Sequence, residues 1–540
     1  MTSIDLSCSE ESVFKMIPPI PHLADYGISP TRGFLPDQLP LTRLPDPYYN
    51  KWEAIVANLQ GLILSKRLRA VIDRLPVLST VGLYHESEWR RAYMLLCFMA
   101  HAYIWGGDSP SDRLPPPITV PLLEISEHLE LPPVATYAAV CLWNFKPLFM
   151  DEDIDNLENL ATLCTFTGSL DESWFYLVSV AMEARGAPII PLMLHAIAAA
   201  RENDVHTVTQ CLTSFAERLD DLTTLLHRMH ENCDPHIFYH RIRPFLAGSK
   251  NMAEAGLPNG VLYDDGSDSP TWRQYAGGSN AQSSLIQFFD IVLGIEHRPT
   301  GEKGPKPDTD SPGPAAQHNF IQEMRRYMPG PHARFLADVQ AVANIREFVA
   351  RHAARHRPLA IAYDACLAML RALRDKHLAI VTRYIVMPSR EAARARSRSP
   401  EATRGAVKKV NLATAVKNVR HQPQGIAFDA KSAAAEMEKN GNNASALKGT
   451  GGTALMAFLK QARDETGEPA VQEWSRRFMR RVVRTEGQGD FFAGKEDDRL
   501  GVPRNRRPDG VVIEEETGVR GLAGTWTIEE EWVTGGICNY

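Results

Sequence analysis

His377 stands in the middle of an apolar helical stripe. The stretch from Leu359 to Met387, LAIAYDACLAMLRALRDKHLAIVTRYIVM, contains neither proline nor glycine, so nothing inside it interrupts a helix. Leu370, Leu373, Val381 and Tyr384 fall at the three- and four-residue spacings that share a face with His377. An imidazole on such a face has two uses. It bonds a backbone carbonyl in the core, or it ligates a metal or haem iron through one ring nitrogen while the other finds a partner. Arg374, Lys376 and Arg383 flank the stripe on neighbouring faces, where cations can meet the carboxylates of a bound cofactor.

Three more polar groups sit alone in apolar surroundings. Ser179 lies in SWFYLVSVAMEA (173–184) and Asp290 in SLIQFFDIVLGI (284–295), both greasy on nearly every face. A buried carboxylate needs a partner, and a cation such as Arg374 is the expected one for Asp290. Arg243 follows a cluster of rings, with Phe238 and Tyr239 just before it and Tyr137, Phe175 and Tyr176 elsewhere in the chain. An apolar pocket with one guanidinium suits an aromatic amino acid, whose carboxylate accepts the arginine fork while rings enclose the side chain. The same residues also suit a plain core with a surface arginine, and on their own they leave both readings open.

Other chemistries find little support. The glycine-rich turns AGGSNAQSS (276–284) and GTGGT (449–453) precede helices and offer backbone N–H groups to an anion, but neither follows a strand or matches a nucleotide-binding pattern. There is no GxSxG, HExxH or CxxC. His236 and His240 are four apart, yet Pro235 and Pro244 leave little room for a rigid helix to present both to one metal.

The elements that must position these groups are helical. No sustained period-2 alternation appears, and helices are expected over 52–65, 68–74, 88–105, 205–230 and 335–353, with proline- and glycine-rich connections at 17–48, 256–279 and 297–319. At 44% hydrophobic and 23% charged, the composition is that of a globular chain. A net charge of −6 offers no general attraction to nucleic acid or anionic membrane. The longest apolar run, near 92–105, is too short to span a bilayer. No secretory signal is visible at the N-terminus. The eight cysteines are scattered and read as reduced thiols of a cytoplasmic protein. Residues 388–448, rich in alanine, serine and arginine, read as a disordered insertion.

Eight strings carry a resemblance, in order along the chain: LPDPYYNKWEAIV (44–56), LELPPVATYA (129–138), FYLVSVAME (175–183), FYHRIRPFLAG (238–248), YAGGSNAQSSLIQFFDIVLGI (275–295), MRRYMPGPHARFL (324–336), AYDACLAMLRALRDKHLAIVTRYI (362–385) and GTGGTALMAFLK (449–460). The chain resembles the indoleamine 2,3-dioxygenase family, in a fungal form with an enlarged loop and tail.

The resemblance implies an all-α fold, with a smaller N-terminal helical domain (14–165), a larger haem-binding catalytic domain (166–465) and a partly disordered C-terminal extension (466–540). It implies one haem b per chain. The activity is haem-dependent cleavage of the indole 2,3-bond of L-tryptophan by O₂, giving N-formylkynurenine, the first step of the kynurenine pathway towards NAD. An external reductant keeps the haem ferrous, and the protein is expected to be a monomer. By the same resemblance His377 is the iron ligand, with Arg374, Asp290, Gly278 and Ser279 around the haem. Tyr137, Phe175, Phe238, Arg243, Ser279 and Thr450 surround the substrate, and Ser179, Phe238 and Arg243 serve catalysis. Tyr176, Tyr239 and Asn280 depart from the mammalian pattern. The alternatives are a haem-binding redox or oxygen sensor with negligible turnover, and a haem-free helical interaction module.

Overall fold

The computed structural model describes residues 18–300, 320–397, 455–477 and 479. They are mainly helical, as the periodicity predicts. The helices that build the site are α1 (Glu86–Trp105), α2 (Leu170–Gly186), α3 (Val205–His227), α4 (Ser284–Val292), α5 (Arg357–Val381) and α6 (Leu455–Thr466). Their starts follow from local chemistry. Ser169 accepts the Glu172 amide at the head of α2, Ser283 accepts the Ile286 amide at the head of α4, and Pro358 occupies the first turn of α5, where no amide hydrogen is needed.

Long α3 lies against both α2 and α5, so the two helices that carry Ser179 and His377 share one support. Helix α6 packs on α5. The strands are short: β1 (Arg113–Leu114) pairs in parallel with β4 (Val261–Tyr263), β4 pairs antiparallel with β5 (Thr271–Arg273), and β2 (Phe145–Pro147) pairs antiparallel with β3 (Leu160–Thr162). None carries an expected site residue.

Among the described residues there are three five-residue π-turns, Ala138–Leu142, Phe238–Ile242 and Thr382–Val386, the first two adjoining or holding expected site residues. Tyr137 precedes the first, Phe238 opens the second and Arg243 follows it, and Tyr384 lies in the third. A π-turn inserts a residue and rotates the side chains after it, which simple helical spacing does not anticipate.

One hydrophobic core links residues from Ile28 to Met479. Phe98, Phe166 and Phe245 stack in succession through it, with centroids 4.4 and 4.9 Å apart. His101 in α1 shows the ordinary fate of a core histidine: Nδ1 meets the Phe245 carbonyl at 2.6 Å and Nε2 accepts the Ala135 amide at 3.0 Å. The longest apolar stretch is Leu170–Arg201, not 92–105 as expected. Its best 18-residue window has mean hydropathy 1.4 and could cross a bilayer by length and composition, but 72% of that window is buried inside the protein. The expected insertion 388–448 begins inside a helix, Met387–Ser397, favoured by its alanines and arginines. The rest of that insertion and Thr450 lie outside the described residues.

Candidate functional site

His377 is lodged deep in the protein yet not sealed. Leu370, Leu373, Val381 and Tyr384 on its stripe are buried, whereas His377 and the following Leu378 keep part of their surface accessible. Burial, reinforced by Arg374, still lowers the imidazole to about 4. The side chain is thus strongly desolvated while keeping part of its surface accessible. At neutral pH it is the uncharged imidazole, the form that ligates a metal.

Beside it, the expected ion pair forms. Arg374 Nη2 donates to both oxygens of Asp290, at 2.6 and 2.7 Å, and Nη1 reaches Ala462 and Thr466 of α6. Burial opposes the Asp290 charge, but Arg374 and His297 outweigh it and the carboxyl is lowered overall. His297 was not anticipated. It meets Asp290 Oδ2 through Nε2 at 3.0 Å and Glu465 Oε2 through Nδ1 at 2.7 Å. The available signal was a histidine directly after the apolar run that holds Asp290.

On α2, Ser179 is buried beside Cys141, whose thiol burial pushes up and Ser179 stabilises. Phe175, one turn earlier, is partly accessible. One turn later Glu183 gathers three elements: its Oε1 accepts the Tyr137 hydroxyl at 3.0 Å and the Ser283 hydroxyl at 2.6 Å. Tyr137, expected against substrate, therefore points its hydroxyl at this carboxyl. Glu183 went unread although it is the one acid in the apolar stretch SWFYLVSVAMEA (173–184), the same kind of signal that marked Asp290. Burial pushes its carboxyl up to about 7, against the two hydroxyl bonds. Tyr176 carries an extra hydroxyl relative to the mammalian pattern and spends it on Glu172, 2.9 Å away on its own helix.

The aromatic cluster assembles around Phe238. Its ring meets Phe175 with centroids 4.7 Å apart and Tyr384 at 5.8 Å, which ties the π-turn 238–242 to α2 and to the continuation of α5. Arg243 is buried, with its guanidinium carbon 5.5 Å from the centroid of Tyr239, and burial lowers its pKa. Gly248 and Gly277 let two backbone segments touch: a Cβ on either would overlap main-chain atoms of the other. That contact sets the end of the Arg243 segment against the loop holding Gly278 and Ser279, both partly accessible. Ser279 caps the next turn through the Ala281 amide at 3.3 Å. His236 and His240 face each other, centroids 4.3 Å apart. Among the described residues, no three His, Cys, Asp or Glu side chains converge on a metal position.

A single neutral imidazole is a poor holder of a bare ion but a suitable ligand for iron carried in a macrocycle. The desolvated neutral imidazole beside the Arg374–Asp290 pair is compatible with the expected haem, which His377 would hold and which Arg374, Asp290, Gly278 and Ser279 are expected to border.

Comparison with known proteins identifies the family. The family model described as indoleamine 2,3-dioxygenase matches residues 22–469. The chain belongs to the indoleamine 2,3-dioxygenase family. Indoleamine 2,3-dioxygenase nanC of Aspergillus nanangensis is 42% identical over 451 residues, 82% of this chain and 96% of the relative. The indoleamine 2,3-dioxygenase of Saccharomyces cerevisiae is 42% identical over 459 residues, covering 83% and 93%. A 6-hydroxytryptophan 2,3-dioxygenase, fscD of Fusarium equiseti, is 39% identical over 369 residues, covering 68% and 86%. As an indoleamine 2,3-dioxygenase family member, the protein is a dioxygenase acting on a tryptophan-like indole.

Proposed function

We propose that the protein is a haem b-dependent dioxygenase that opens the indole 2,3-bond of L-tryptophan to N-formylkynurenine, feeding the route towards NAD in the cytoplasm. The observation that carries this reading is the meeting of Phe238 with Phe175 and with Tyr384, which lies on the continuation of α5 beyond the neutral imidazole of His377, with the buried guanidinium of Arg243 close after Phe238 in the chain.

Haem, when bound, supplies the oxygen-activating iron. The chain supplies everything that orients the substrate. Arg243 takes the amino acid carboxylate, a charge-assisted bond made strong by the low dielectric around a buried guanidinium. Phe175 and Phe238 hold the indole in one plane, converting an encounter into a positioned reaction. Ser179 is the polar residue of α2 at this level, and its hydroxyl is a poor proton donor compared with an imidazolium. The pocket thus excludes water and fixes geometry, and does not rely on a strong distal acid. The rings Tyr137 and Tyr176 turn their hydroxyls onto Glu183 and Glu172, so these add no acid to the pocket.

A ring-hydroxylated tryptophan is the second substrate to consider, because one relative is named for 6-hydroxytryptophan. The test is anaerobic titration of the ferrous protein with L-tryptophan, then with 6-hydroxytryptophan, followed by oxygen. N-formylkynurenine from L-tryptophan is the expected product. A haem spectrum with no product at saturating substrate overturns the catalytic reading, and product from the hydroxylated substrate alone reassigns it.

A further inference from the structure

Helix α4 ends in a tight reversal. Gly294 has φ of +66°, its amide bonds the Ile291 carbonyl at 3.1 Å, and the Ile295 amide bonds the Asp290 carbonyl at 2.9 Å. This turn brings the chain back so that His297 lies against Asp290, seven residues earlier. The imidazole is only 6% exposed and sits between two buried carboxylates, Asp290 of α4 and Glu465 of α6. Glu465 is held further by the Arg298 amide at 3.1 Å and by Gln461 at 2.8 Å. On the other side Asp290 holds Arg374, three residues before His377. The result is one buried line: Arg374, Asp290, His297, Glu465.

We propose that His297 and Glu465 are positioning residues for the iron ligand. Protonated His297 bridges the two carboxylates, ties α6 to α4, and through Asp290 fixes Arg374 beside His377; loss of the His297 proton loosens this tie and leaves α6 held by the direct bonds of Arg371 and Arg374. With His297 charged, the two carboxylates face three cations, Arg374 on Asp290, Arg298 on Glu465 and His297 between them. With it neutral, two buried carboxylates face each other across an uncharged ring, and one loses its donor.

The groups facing His297 are Asp290 from α4, Arg374 from α5, Glu465 from α6 and Arg298 from its own segment. A cleft of about 370 Å³, lined by Asp290 and His297 and also by Glu296, Arg325, Arg346 and Glu347, gives protons a path to the imidazole. Burial alone would lower its pKa, but Asp290 and Glu465 outweigh burial and the value is raised above 6.5. Burial likewise opposes the Glu465 charge, and His297, Gln461 and the Arg298 amide overcome it, leaving the carboxyl lowered. The signs follow. The His297 contribution is complete below its unfolded value and is lost as pH rises through the raised folded value. The carboxylate contributions are complete above their unfolded values and are lost as pH falls through the lowered folded values. The latch is therefore tightest on the mildly acidic side of neutrality and loosens towards alkaline pH.

The consequence at the haem rests on the assignment of His377; the latch itself does not. The test is hydrogen exchange of the peptide covering 455–466 in the full-length holoprotein from about pH 5.5 to about pH 8.5, corrected for the intrinsic rate. Protection should fall about tenfold for each unit by which folding raises the His297 pKa. In His297→Gln it should be weak and independent of pH, and in Glu465→Gln the pH dependence should flatten. Haem transfer to an excess of apoglobin should speed up over the same pH range in the wild type and be uniformly fast in His297→Gln. Protection that does not change with pH in the wild type, or a wild-type profile retained in His297→Gln, overturns the proposal. A pH-dependent profile in a protein that takes up no haem keeps the latch and removes the His377 assignment.

Discussion

Tyr137 donates its hydroxyl to Glu183 at 3.0 Å, and Glu183 sits one helical turn beyond Ser179 on α2. With Ser283, which also heads α4, this carboxyl joins the turn before residues 138–142, the Ser179 helix and the loop that holds Gly278. It holds these three segments in register.

Glu183→Ala leaves two buried hydroxyls without an acceptor and should cost about 1–3 kcal/mol of stability. Glu183→Gln keeps the acceptor. The wild-type carboxyl is raised from 4.5 to about 7 by burial, so its contribution is complete below its unfolded value and is lost as pH rises through the folded one. Between mildly acidic and mildly alkaline pH, Glu183→Gln should therefore gain up to about 3 kcal/mol relative to wild type. Urea denaturation at the two pH values measures it. A constant difference would show that the carboxyl does not titrate in this range.

Arg243→Ala should raise KM for L-tryptophan by the equivalent of about 2–5 kcal/mol while leaving haem uptake intact. Arg243→Lys should recover only part of this, because a point charge does not replace a planar fork. Steady-state kinetics beside a haem titration separate the two effects. Unchanged KM would place the substrate carboxylate elsewhere.

His377→Ala should abolish stable haem retention with the helical content preserved. The side chain keeps part of its surface accessible, and its truncation removes no apolar group from the core. Circular dichroism and the Soret band, read on one preparation, check both halves of the expectation. A normal Soret band in the variant would remove the axial-ligand assignment.

Gly277→Ala should destabilise the protein by about 1–3 kcal/mol or more, since the new methyl would overlap the Leu246 carbonyl and the Gly248 amide. The loop bearing Gly278 and Ser279 should shift, and substrate affinity should fall along with thermal stability. Gly266→Ala is the control for local steric clash: that glycine has open space where a Cβ would stand, although its φ of +81° carries some backbone strain.

Much of the site was legible before any coordinates. The stripe through His377 needed only helical spacing, and the lone acid in SLIQFFDIVLGI needed only the rule that a buried carboxylate finds a cation, which Arg374 proves to be. The order of the motif strings carried the family. Helical class followed from periodicity, while the longest apolar stretch was misplaced because helix α2 and the helix after it run together through the protein interior.

Three things were decided by tertiary structure alone. The π-turns at 138–142, 238–242 and 382–386 rotate side chains by a residue that counting along a helix does not contain, so the meeting of Phe238 with Phe175 and Tyr384 was invisible in the pattern. Residues Glu183 and His297 gain their roles from partners 46 and 168 positions away, Tyr137 and Glu465, and a one-dimensional pattern carries no information about such distances. Sequence determined which residues are greasy, which are charged and which face of each helix they share. Only the packed fold decided which charges would lose water together, and that loss is what makes one imidazole neutral and another a bridge.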